Sequence, residues 1–477
     1  MNQSGRTNFA TKFGAVLATA GSAVGLGNVW RFPYMTGEDG GAAFILIYLV
    51  CVLMLGIPGM ISEFIIGRHA GSNAARAYRR LAAGKAWMLI GVMGVITSMI
   101  VLGFYAVVAG WCLQYLYASL AGQLSGDANY VAAYFNDFTH NPVMPAFWAV
   151  AFILITHFVV VHGIRSGIEK VSNLLMPTLF ILLIVLVGAS CMLPGAWRGV
   201  DFLLNPDFSK VSSTVFLDAL GQAFFSLSLG TACLCTYASY FSRRTNLAKT
   251  ACQIAIIDML VAILAGLMIF PAAFSVGISP DSGPALIFIT LPNVFREAFA
   301  SMPIVGYIMS VLFYMLLALA ALTSTISMHE IGTAFFHEEL HCSRRIGATI
   351  ETVVCCIIAI LCALSCGAYK GLSIAGRTLL DFCDFLTAQI LMPVGALATC
   401  LLIGWFVPKR IVRDEFTNRG TTWVKVYGIF LFIVRFVCPV CIIAVFLGQW
   451  KFSGDKHKSL QVYTERTFHL RYPLVML

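Results

Sequence analysis

The sequence contains few charged residues for its length. Asp, Glu, Lys and Arg make up 11% of its 477 residues, whereas a soluble globular protein carries about 25%. Hydrophobic residues account for 59%. Since so little charge cannot cover a water-exposed surface, the composition excludes an ordinary soluble protein and predicts that the chain lies in a lipid bilayer.

The sequence also lacks the cysteine spacing of a disulfide framework. Its fifteen cysteines are scattered, and many stand inside apolar runs, among them Cys51, Cys112 and Cys400. This distribution predicts that the thiols are small core residues.

Basic residues are missing from one predicted loop and concentrated in three others. The stretch 120–147 has no Lys or Arg. The basic loops contain Arg68, Arg76, Arg79, Arg80 and Lys85, then Arg243, Arg244 and Lys249, then Lys409, Arg410, Arg413, Arg419 and Lys425. Because positive loops stay in the cytoplasm, we expect a multi-pass protein of the inner (plasma) membrane with a cytoplasmic N-terminus. The same loops account for the net charge of +9, so no nucleic-acid partner is expected.

Eleven apolar runs are long enough to cross about 30 Å of hydrocarbon as helices. In chain order, and numbered here as helices 1 to 11, they cover 12–34, 41–66, 88–118, 146–164, 171–193, 213–240, 250–275, 302–336, 347–366, 378–405 and 426–449. The predicted fold class is therefore all-α, because backbone groups in lipid must pair within their own segment. We expect one transmembrane domain over 1–449, a polar tail over 450–477 and no cleaved signal sequence.

Helix 1 contains residues that a plain membrane helix does not need. Residues 20–34 read AGSAVGLGNVWRFPY, with three glycines within seven positions. Each glycine costs a helix about 1 kcal/mol relative to alanine, and non-helical backbone survives in a membrane only where it is buried in protein or lines a cavity. Free carbonyls at such a break can bind a cation, and free N–H groups can bind an anion.

A second interruption lies five helices later. Residues 222–240 read QAFFSLSLGTACLCTYASY, with Ser226, Ser228 and Gly230 inside an apolar span. Discontinuous helices 1 and 6 predict a 5+5 inverted repeat, with halves 12–193 and 213–405, helix 11 added at 426–449 and a binding site near the midplane. The alternative is that these small residues only allow close helix packing.

Several motifs resemble the neurotransmitter:sodium symporter family, in its bacterial amino-acid branch. They are GSAVGLGNVWRFPY, GGAAFILIYL, GIPGMISEFIIGR, GFYAVVAGW, FFSLSLG, TYASY and LALAALTST, and the resemblance extends to about residue 449. It implies the leucine-transporter-type fold and sodium-coupled import of a neutral amino acid by alternating access, not an enzyme. The relation between paired helix breaks and a midplane site is known from this same fold, so it does not support the resemblance independently. We expect a monomer or weak homodimer.

The resemblance implies two sodium sites. The first would use the Ala23 carbonyl, Asn28, Ser226 and the substrate carboxylate. The second would use carbonyls of Gly21, Val24 and Ala320 and the hydroxyls of Thr323 and Ser324. Helix 7 departs from the family pattern, because Asp258 is its only polar candidate. We expect Asp258 to join the first site and its charge to make chloride unnecessary.

The resemblance also places the substrate. Its carboxylate would lie against Leu26, Gly27 and the Tyr105 hydroxyl, and its amino group near Ala23, Phe225 and Ser226. Its side chain would lie among Ser22, Val101, Phe225, Ser228, Thr231, Ser324 and Met328. Relatives can carry a bulky residue at the Thr231 position, which favours a large apolar or aromatic amino acid here. The alternative is that neighbouring side chains refill the space.

Two gates complete the expectations from this resemblance. Arg31 and Asp384 would pair on the outer side, above Phe225 and Tyr105. On the cytoplasmic side Arg6 would pair with Glu338, with Phe9 packed nearby. The alternative for such charges at helix ends is snorkelling towards water. Glu63 is expected to hydrogen-bond exposed backbone of helix 6.

A rival function comes from the segment HEELH at 337–341. His337 and His341 on one helical face could hold zinc, with Glu338 as general base, which is the pattern of a metalloprotease. An intramembrane zinc protease is therefore the alternative hypothesis, although no further Asp or His in an apolar span is an obvious third ligand.

Overall fold

The apolar runs fold into long helices. The computed structural model describes residues 8–82, 86–124, 128–277, 286–369 and 371–448. Within these ranges nine helices are long and apolar enough to cross a membrane. They are helix 2 (Ala42–Ala70), helix 3 (Ala86–Leu120), helix 4 (Met144–Val161), helix 5 (Ile164–Cys191), helix 7 (Leu247–Ser275), helix 8 (Pro303–Glu339), helix 9 (Arg344–Ser365), helix 10 (Leu379–Phe406) and helix 11 (Val424–Gly448).

The two remaining spans are broken, which confirms the prediction of discontinuous helices. Helix 1 consists of Lys12–Ala23 and Gly27–Glu38, two pieces bent by 52° to each other. Helix 6 consists of Ser213–Ser226 and Cys233–Ala238. When each broken helix is counted as one span, the described residues contain eleven, which is the number of hydrophobic runs in the sequence.

Shorter elements connect the spans. The helices among them are Ala74–Leu81, Ala128–His140, Trp197–Leu204, Leu291–Ala298 and Lys409–Phe416, and the strands Ser373–Ile374 (β1) and Arg377–Thr378 (β2) pair antiparallel. The connections 120–145 and 276–300 contain the helices Ala128–His140 and Leu291–Ala298, respectively. The polar tail lies outside the described residues.

Side-chain caps fix where several helices begin. Thr11 accepts the Gly14 amide at the start of helix 1, and Asn246 accepts the Lys249 amide at the start of helix 7. Such caps satisfy amides that have no partner inside the helix. The start of each of these two helices therefore has a local capping signal in the sequence.

Close helix contacts depend on small residues. Helix 2 passes so near the second half of helix 6 that a Cβ on Gly67 would lie 2.8 Å from the Cys235 carbonyl carbon. Helix 3 approaches helix 4 equally closely at Gly110, where a Cβ would lie 2.7 Å from the Ala149 amide. Since lipid gives no hydrophobic drive between helices, such close packing is a main source of helix association.

Candidate functional site

The break in helix 1 leaves backbone groups free at the centre of the molecule. The first half ends at Ala23, where Val24 is extended (φ −75°, ψ 106°), and the second half begins at Gly27. The residues of the break are buried. Carbonyls and amides without a partner in the helix therefore face the protein interior, where side chains, ions or polar ligands can bind them.

The break in helix 6 depends on left-handed backbone. Ser228, Gly230 and Ala232 have φ of 53°, 81° and 62°, which no helix can accommodate. Glu63 of helix 2 accepts the Gly230 amide through Oε1 at 2.7 Å. This is the contact with helix 6 backbone expected from the sequence, and it supports one of the amides that the break leaves without a helical partner.

Asp258 of helix 7 gathers the residues assigned to the first sodium site. Its Oδ1 accepts Asn28 Nδ2 at 2.7 Å and Ser226 Oγ at 2.8 Å, and its Oδ2 accepts the Tyr48 hydroxyl at 3.0 Å. All four side chains are buried. These hydrogen-bond partners carry no charge, so none of them compensates the negative charge of the carboxylate. Such a group of oxygens suits a hard cation.

Tyr48 is a residue that the sequence analysis missed. It lies within the uniformly apolar run of helix 2. A hydroxyl in such a run is a weak signal, because only the packing of helix 2 against helices 1 and 7 turns it towards Asp258.

The residues assigned to the second sodium site also meet. Thr323 Oγ1 lies 3.1 Å from the Val24 carbonyl and 2.9 Å from the Ala320 carbonyl, and Ser324 Oγ lies 3.3 Å from the Val24 carbonyl. A Cβ on Gly21 would lie 3.3 Å from Thr323 Cβ. Helix 8 thus presents two hydroxyls to the free carbonyl at the break of helix 1.

The predicted substrate residues lie between helices 1, 3, 6 and 8. The Leu26 amide donates to the Tyr105 hydroxyl at 2.9 Å, and Ser228 Oγ donates to the Ser22 carbonyl at 3.2 Å. A Cβ on Gly27 would lie 3.0 Å from the Phe225 ring. Donors and a hydroxyl therefore meet where the substrate carboxylate is expected.

Thr231 has a structural task as well. Its hydroxyl donates to the Ser228 carbonyl at 2.7 Å and accepts the Cys233 amide at 3.3 Å. Both bonds lie within the break of helix 6. The small side chain is therefore tied to the backbone that it borders. Of the other predicted pocket residues, Val101 is buried and Met328 accepts the Ser98 hydroxyl through its carbonyl at 3.3 Å.

The outer-gate residues face each other without direct contact. The Arg31 guanidinium carbon lies 4.4 Å above the centre of the Phe225 ring. It interacts electrostatically with Asp384 and Asp218, but no nitrogen–oxygen pair within 4 Å joins Arg31 to Asp384. Arg377, which the sequence analysis did not single out, also faces Asp384 electrostatically. The residues predicted for the outer gate thus lie in a group of charges rather than in one ion pair.

The predicted inner gate is described only in part, because Arg6 lies outside the described residues. Glu338 Oε2 accepts the Asn73 amide at 2.8 Å and Asn73 Nδ2 at 3.0 Å. Phe9 is buried against the second half of helix 6, with its ring centre 6.0 Å from that of Tyr237 and 6.2 Å from that of Tyr240. Phe9 therefore holds the chain before helix 1 against the end of helix 6.

A carboxylate missed by the sequence analysis holds the same segment. Glu169 of helix 5 accepts the Ala10 amide at 2.7 Å, the Thr11 amide at 3.0 Å and the Thr11 hydroxyl at 2.9 Å. Glu169 and Phe9 thus both hold the segment that leads into helix 1.

The HEELH segment does not form a zinc site. Helix 8 ends at Glu339, and His341 lies beyond it with φ 53°, so the two histidines are not on one helical face. His337 Nδ1 contacts the Cys342 carbonyl at 2.6 Å, and Glu338 is engaged by Asn73. No group of three His, Cys, Asp or Glu side chains in the described ranges could hold a metal ion. The protease hypothesis is therefore not supported.

Comparisons with known proteins agree with this geometry. A model of the sodium:neurotransmitter symporter family matches residues 6–132 and 136–476. An uncharacterised sodium-dependent transporter of Bacillus subtilis, YhdH, is 39% identical over 451 residues, covering 94% of this chain and 98% of the relative. An uncharacterised sodium-dependent transporter of Haemophilus influenzae is 33% identical over 462 residues, covering 94% and 99%. The crystal structure of MhsT in complex with L-phenylalanine matches with a TM-score of 0.84 and 40% identity, covering 93% of this chain and 99% of that one.

Proposed function

Because this chain belongs to the sodium:neurotransmitter symporter family, we propose that it couples sodium entry to the import of a neutral amino acid with a large hydrophobic or aromatic side chain. Membership makes it a multi-pass membrane transporter and not an enzyme, with sodium and a small molecule as its partners. We further propose a cytoplasmic N-terminus, a place in the inner (plasma) membrane and a monomer or weak homodimer.

The observation that carries the proposal is the cluster of Asn28, Ser226 and Asp258 across the two breaks. A carboxylate buried with neutral partners is costly unless a cation compensates it. A sodium ion supplies the compensating positive charge and requires about five or six oxygen ligands. The substrate carboxylate provides one of these ligands, so the binding of the ion and the binding of the amino acid are coupled.

A second sodium ion is proposed at Gly21, Val24, Ala320, Thr323 and Ser324. The two hydroxyls there donate to the carbonyls that the ion would bind. Sodium would replace these hydrogen bonds and join helix 1 to helix 8. Loss of the ion would release the first half of helix 1, which gives the chain an alternating-access step.

Chloride is not required in this proposal. A symporter that gathers two sodium ions and a zwitterion needs a compensating anion near the first ion. The Asp258 carboxylate supplies this fixed charge from within the chain, next to Ser226 and Tyr48.

The proposed substrate class rests on two arguments. Thr231 is small at a position where relatives can carry a bulky residue, which leaves volume for a large side chain. The matched MhsT structure holds L-phenylalanine. The Leu26 amide and the Tyr105 hydroxyl would bind the carboxylate of such a substrate.

The two sodium ions supply enough free energy for accumulation. Moving one charge through 100 mV releases about 2.3 kcal/mol, and a tenfold concentration ratio adds about 1.4 kcal/mol. Two ions therefore provide about 7 kcal/mol, which supports about five decades of substrate concentration.

Thermal-shift measurements of the purified chain with each of the twenty amino acids test the proposal. Large apolar or aromatic amino acids should stabilise it only when sodium is present, by about 2.7 kcal/mol at a ligand concentration 100 times the Kd. Uptake by proteoliposomes should require an inward sodium gradient and should persist when gluconate replaces chloride. Equal stabilisation or uptake in choline would rule out sodium coupling, and a response to glycine alone would rule out the substrate class.

A further inference from the structure

Arg435 of helix 11 carries a charge inside an apolar span and has no carboxylate partner among the residues that the structure describes. Its Nε donates to the Gly404 carbonyl at 2.5 Å, and Gly404 lies two residues before the end of helix 10. The guanidinium group therefore lies beside the last turn of helix 10. Its two terminal nitrogens make no hydrogen bond, and no carboxylate lies within 4 Å, among the residues that the structure describes.

The acidic residues near Arg435 in the sequence already have other basic partners. Segment 404–448 contains six basic and two acidic residues. Glu415 is bound by Arg68 at 2.6 Å, and Asp414 lies 3.8 Å from Arg410. Among the described residues, this segment therefore carries more positive than negative charge, and Arg435 contributes to the excess.

Aromatic side chains border the guanidinium on the outside of the helix bundle. The Arg435 guanidinium carbon lies 5.3 Å from the Trp405 ring centre, and Trp405 contacts Phe436 at 5.6 Å. Trp405 is 55% exposed and Phe436 is 47% exposed. An exposed Trp near the end of a span, such as Trp405 at the end of helix 10, is typical of the membrane interface and indicates that this surface faces lipid.

We propose that the groove between helices 10 and 11 binds the headgroup phosphate of an anionic phospholipid. The free nitrogens of Arg435 hold the phosphate oxygens, and Trp405 lies beside the glycerol and the first part of the acyl chains. An arginine fork matches two phosphate oxygens at once, and basic pockets between membrane helices are a recurring site for acidic headgroups.

Capping of helix 10 does not account for this arrangement. A single N–H satisfies the Gly404 carbonyl, and a lysine ammonium could supply it. The guanidinium has five donors, and those on its two terminal nitrogens have no hydrogen-bond partner among the described residues, beside the exposed Trp405 ring. A phosphate in the plane of the headgroups matches these donors in charge and geometry.

The test compares wild type with Arg435→Gln, Arg435→Lys and the matched control Arg410→Gln. Arg410 is 94% exposed on the helix Lys409–Phe416, which connects helices 10 and 11. Its replacement by Gln removes one positive charge from the same segment 404–448. Native mass spectrometry of protein released from membranes containing phosphatidylglycerol and phosphatidylcholine measures retained lipid. We expect Arg435→Gln to reduce retention of phosphatidylglycerol at least fivefold, the factor that corresponds to about 1 kcal/mol per basic residue near a membrane. Arg410→Gln should retain it, and Arg435→Lys should fall between the two.

Thermal stability gives the second measurement. Wild type should be stabilised by phosphatidylglycerol relative to phosphatidylcholine in nanodiscs, and Arg435→Gln should lose this difference. If Arg435→Gln does not fold, the same comparison is made with Arg435→Lys and with Trp405→Leu, which leaves the charge in place. Equal losses in Arg410→Gln would show a diffuse surface charge and overturn the site. Equal stabilisation by inorganic phosphate, or an Arg435-dependent change from dimer to monomer without lipid loss, would overturn the lipid as occupant.

Discussion

At the scale of single residues, neutral hydrogen-bond donors surround one buried carboxylate between the two broken helices. Asp258 is buried, and Asn28, Ser226 and Tyr48 donate to it. Hydrogen bonds to charged groups are worth about 1.5–3 kcal/mol each. The carboxylate therefore stays in a bilayer only because several donors and, in the proposed function, a sodium ion surround it.

Asp258→Asn should weaken sodium binding by about 10- to 100-fold, since the substitution removes the charge and keeps the shape. Uptake in this variant should become dependent on chloride, because no fixed anion remains beside the ion. Titration of uptake against sodium in chloride and in gluconate measures both effects. Tyr48→Phe is the control: it removes one donor and should change sodium affinity only a few-fold. Unchanged affinity in Asp258→Asn would exclude this carboxylate from the sodium site.

Thr231→Phe should shift selectivity from large to small amino acids, because a ring at this position fills the proposed side-chain pocket. Competition of unlabelled amino acids against a labelled substrate measures the shift, which we expect to exceed tenfold. Thr231→Ser keeps the hydroxyl that bonds the Ser228 carbonyl and the Cys233 amide, so it should keep the wild-type order. A selectivity that is the same in the phenylalanine variant would show that Thr231 does not border the substrate.

At the scale of elements, the two broken helices form because other helices support their exposed backbone. Glu63 of helix 2 bonds the Gly230 amide, and the Thr323 hydroxyl of helix 8 bonds the Val24 carbonyl. The glycine at the second break also allows contact with helix 10, since a Cβ there would lie 2.9 Å from the Met392 carbonyl carbon. Each break is thus a tertiary feature, although its residues are local.

Gly230→Ala should abolish uptake and lower stability by more than about 2 kcal/mol. The left-handed backbone alone costs about 1–2 kcal/mol for a residue with a side chain, and the contact with Met392 adds to it. Gly122→Ala is the matched control, because Gly122 has φ 69° and open space around its Cβ position. It should cost only the backbone strain and leave uptake intact. Thermal unfolding in detergent and proteoliposome uptake measure the pair, and equal effects of both variants would contradict the close approach of helix 10.

At the scale of the whole molecule, an ion pair joins segments far apart in the chain. Glu415 on the helix Lys409–Phe416 accepts Arg68 Nε at 2.6 Å, and its second oxygen lies 3.2 Å from His69 Nδ1. Burial by itself would raise the pKa of Glu415, but the hydrogen bond with His69 and the Arg68 guanidinium outweigh it and hold this pKa below its usual value. The end of helix 2 is thereby tied to the connection between helices 10 and 11.

This ion pair predicts an acid-sensitive stability. Because the pKa of Glu415 is lower in the folded state, its stabilisation is complete above the unfolded value of about 4.3 and is lost as the pH falls through the folded value. Glu415→Gln should therefore unfold at lower temperature than wild type at pH 7, with a difference that shrinks below about pH 4. Asp414→Asn, on the same helix and largely exposed, should show little difference at either pH. Scanning fluorimetry from pH 3 to 7 measures these curves, and a gap that does not shrink in acid would contradict the assignment.

The sequence predicted the all-α fold and most of the candidate site. The hydrophobic runs are strong signals because a span needs about twenty apolar residues whatever its neighbours are. The glycines of residues 20–34 predicted the break in helix 1 because each glycine lowers the stability of the helix that contains it, whatever packs around it. Asp258 was identified because an ionisable residue in an apolar run is rare. Tyr48 and Glu169 were missed because a hydroxyl or a carboxylate near a helix end is common and says nothing about its partner.

The sequence by itself determined the number of spans, the places where two of them break and the sign of charge in the loops. These properties follow from solvation and backbone propensity, which act within one segment. Only the tertiary structure decided that the Tyr48 hydroxyl donates to Asp258, 210 positions away. It also decided that Gly230 packs against Met392 and that Arg435 donates to the Gly404 carbonyl. Such pairings depend on which faces of the helices pack together, and that choice is made by the close fit of all the helices at once.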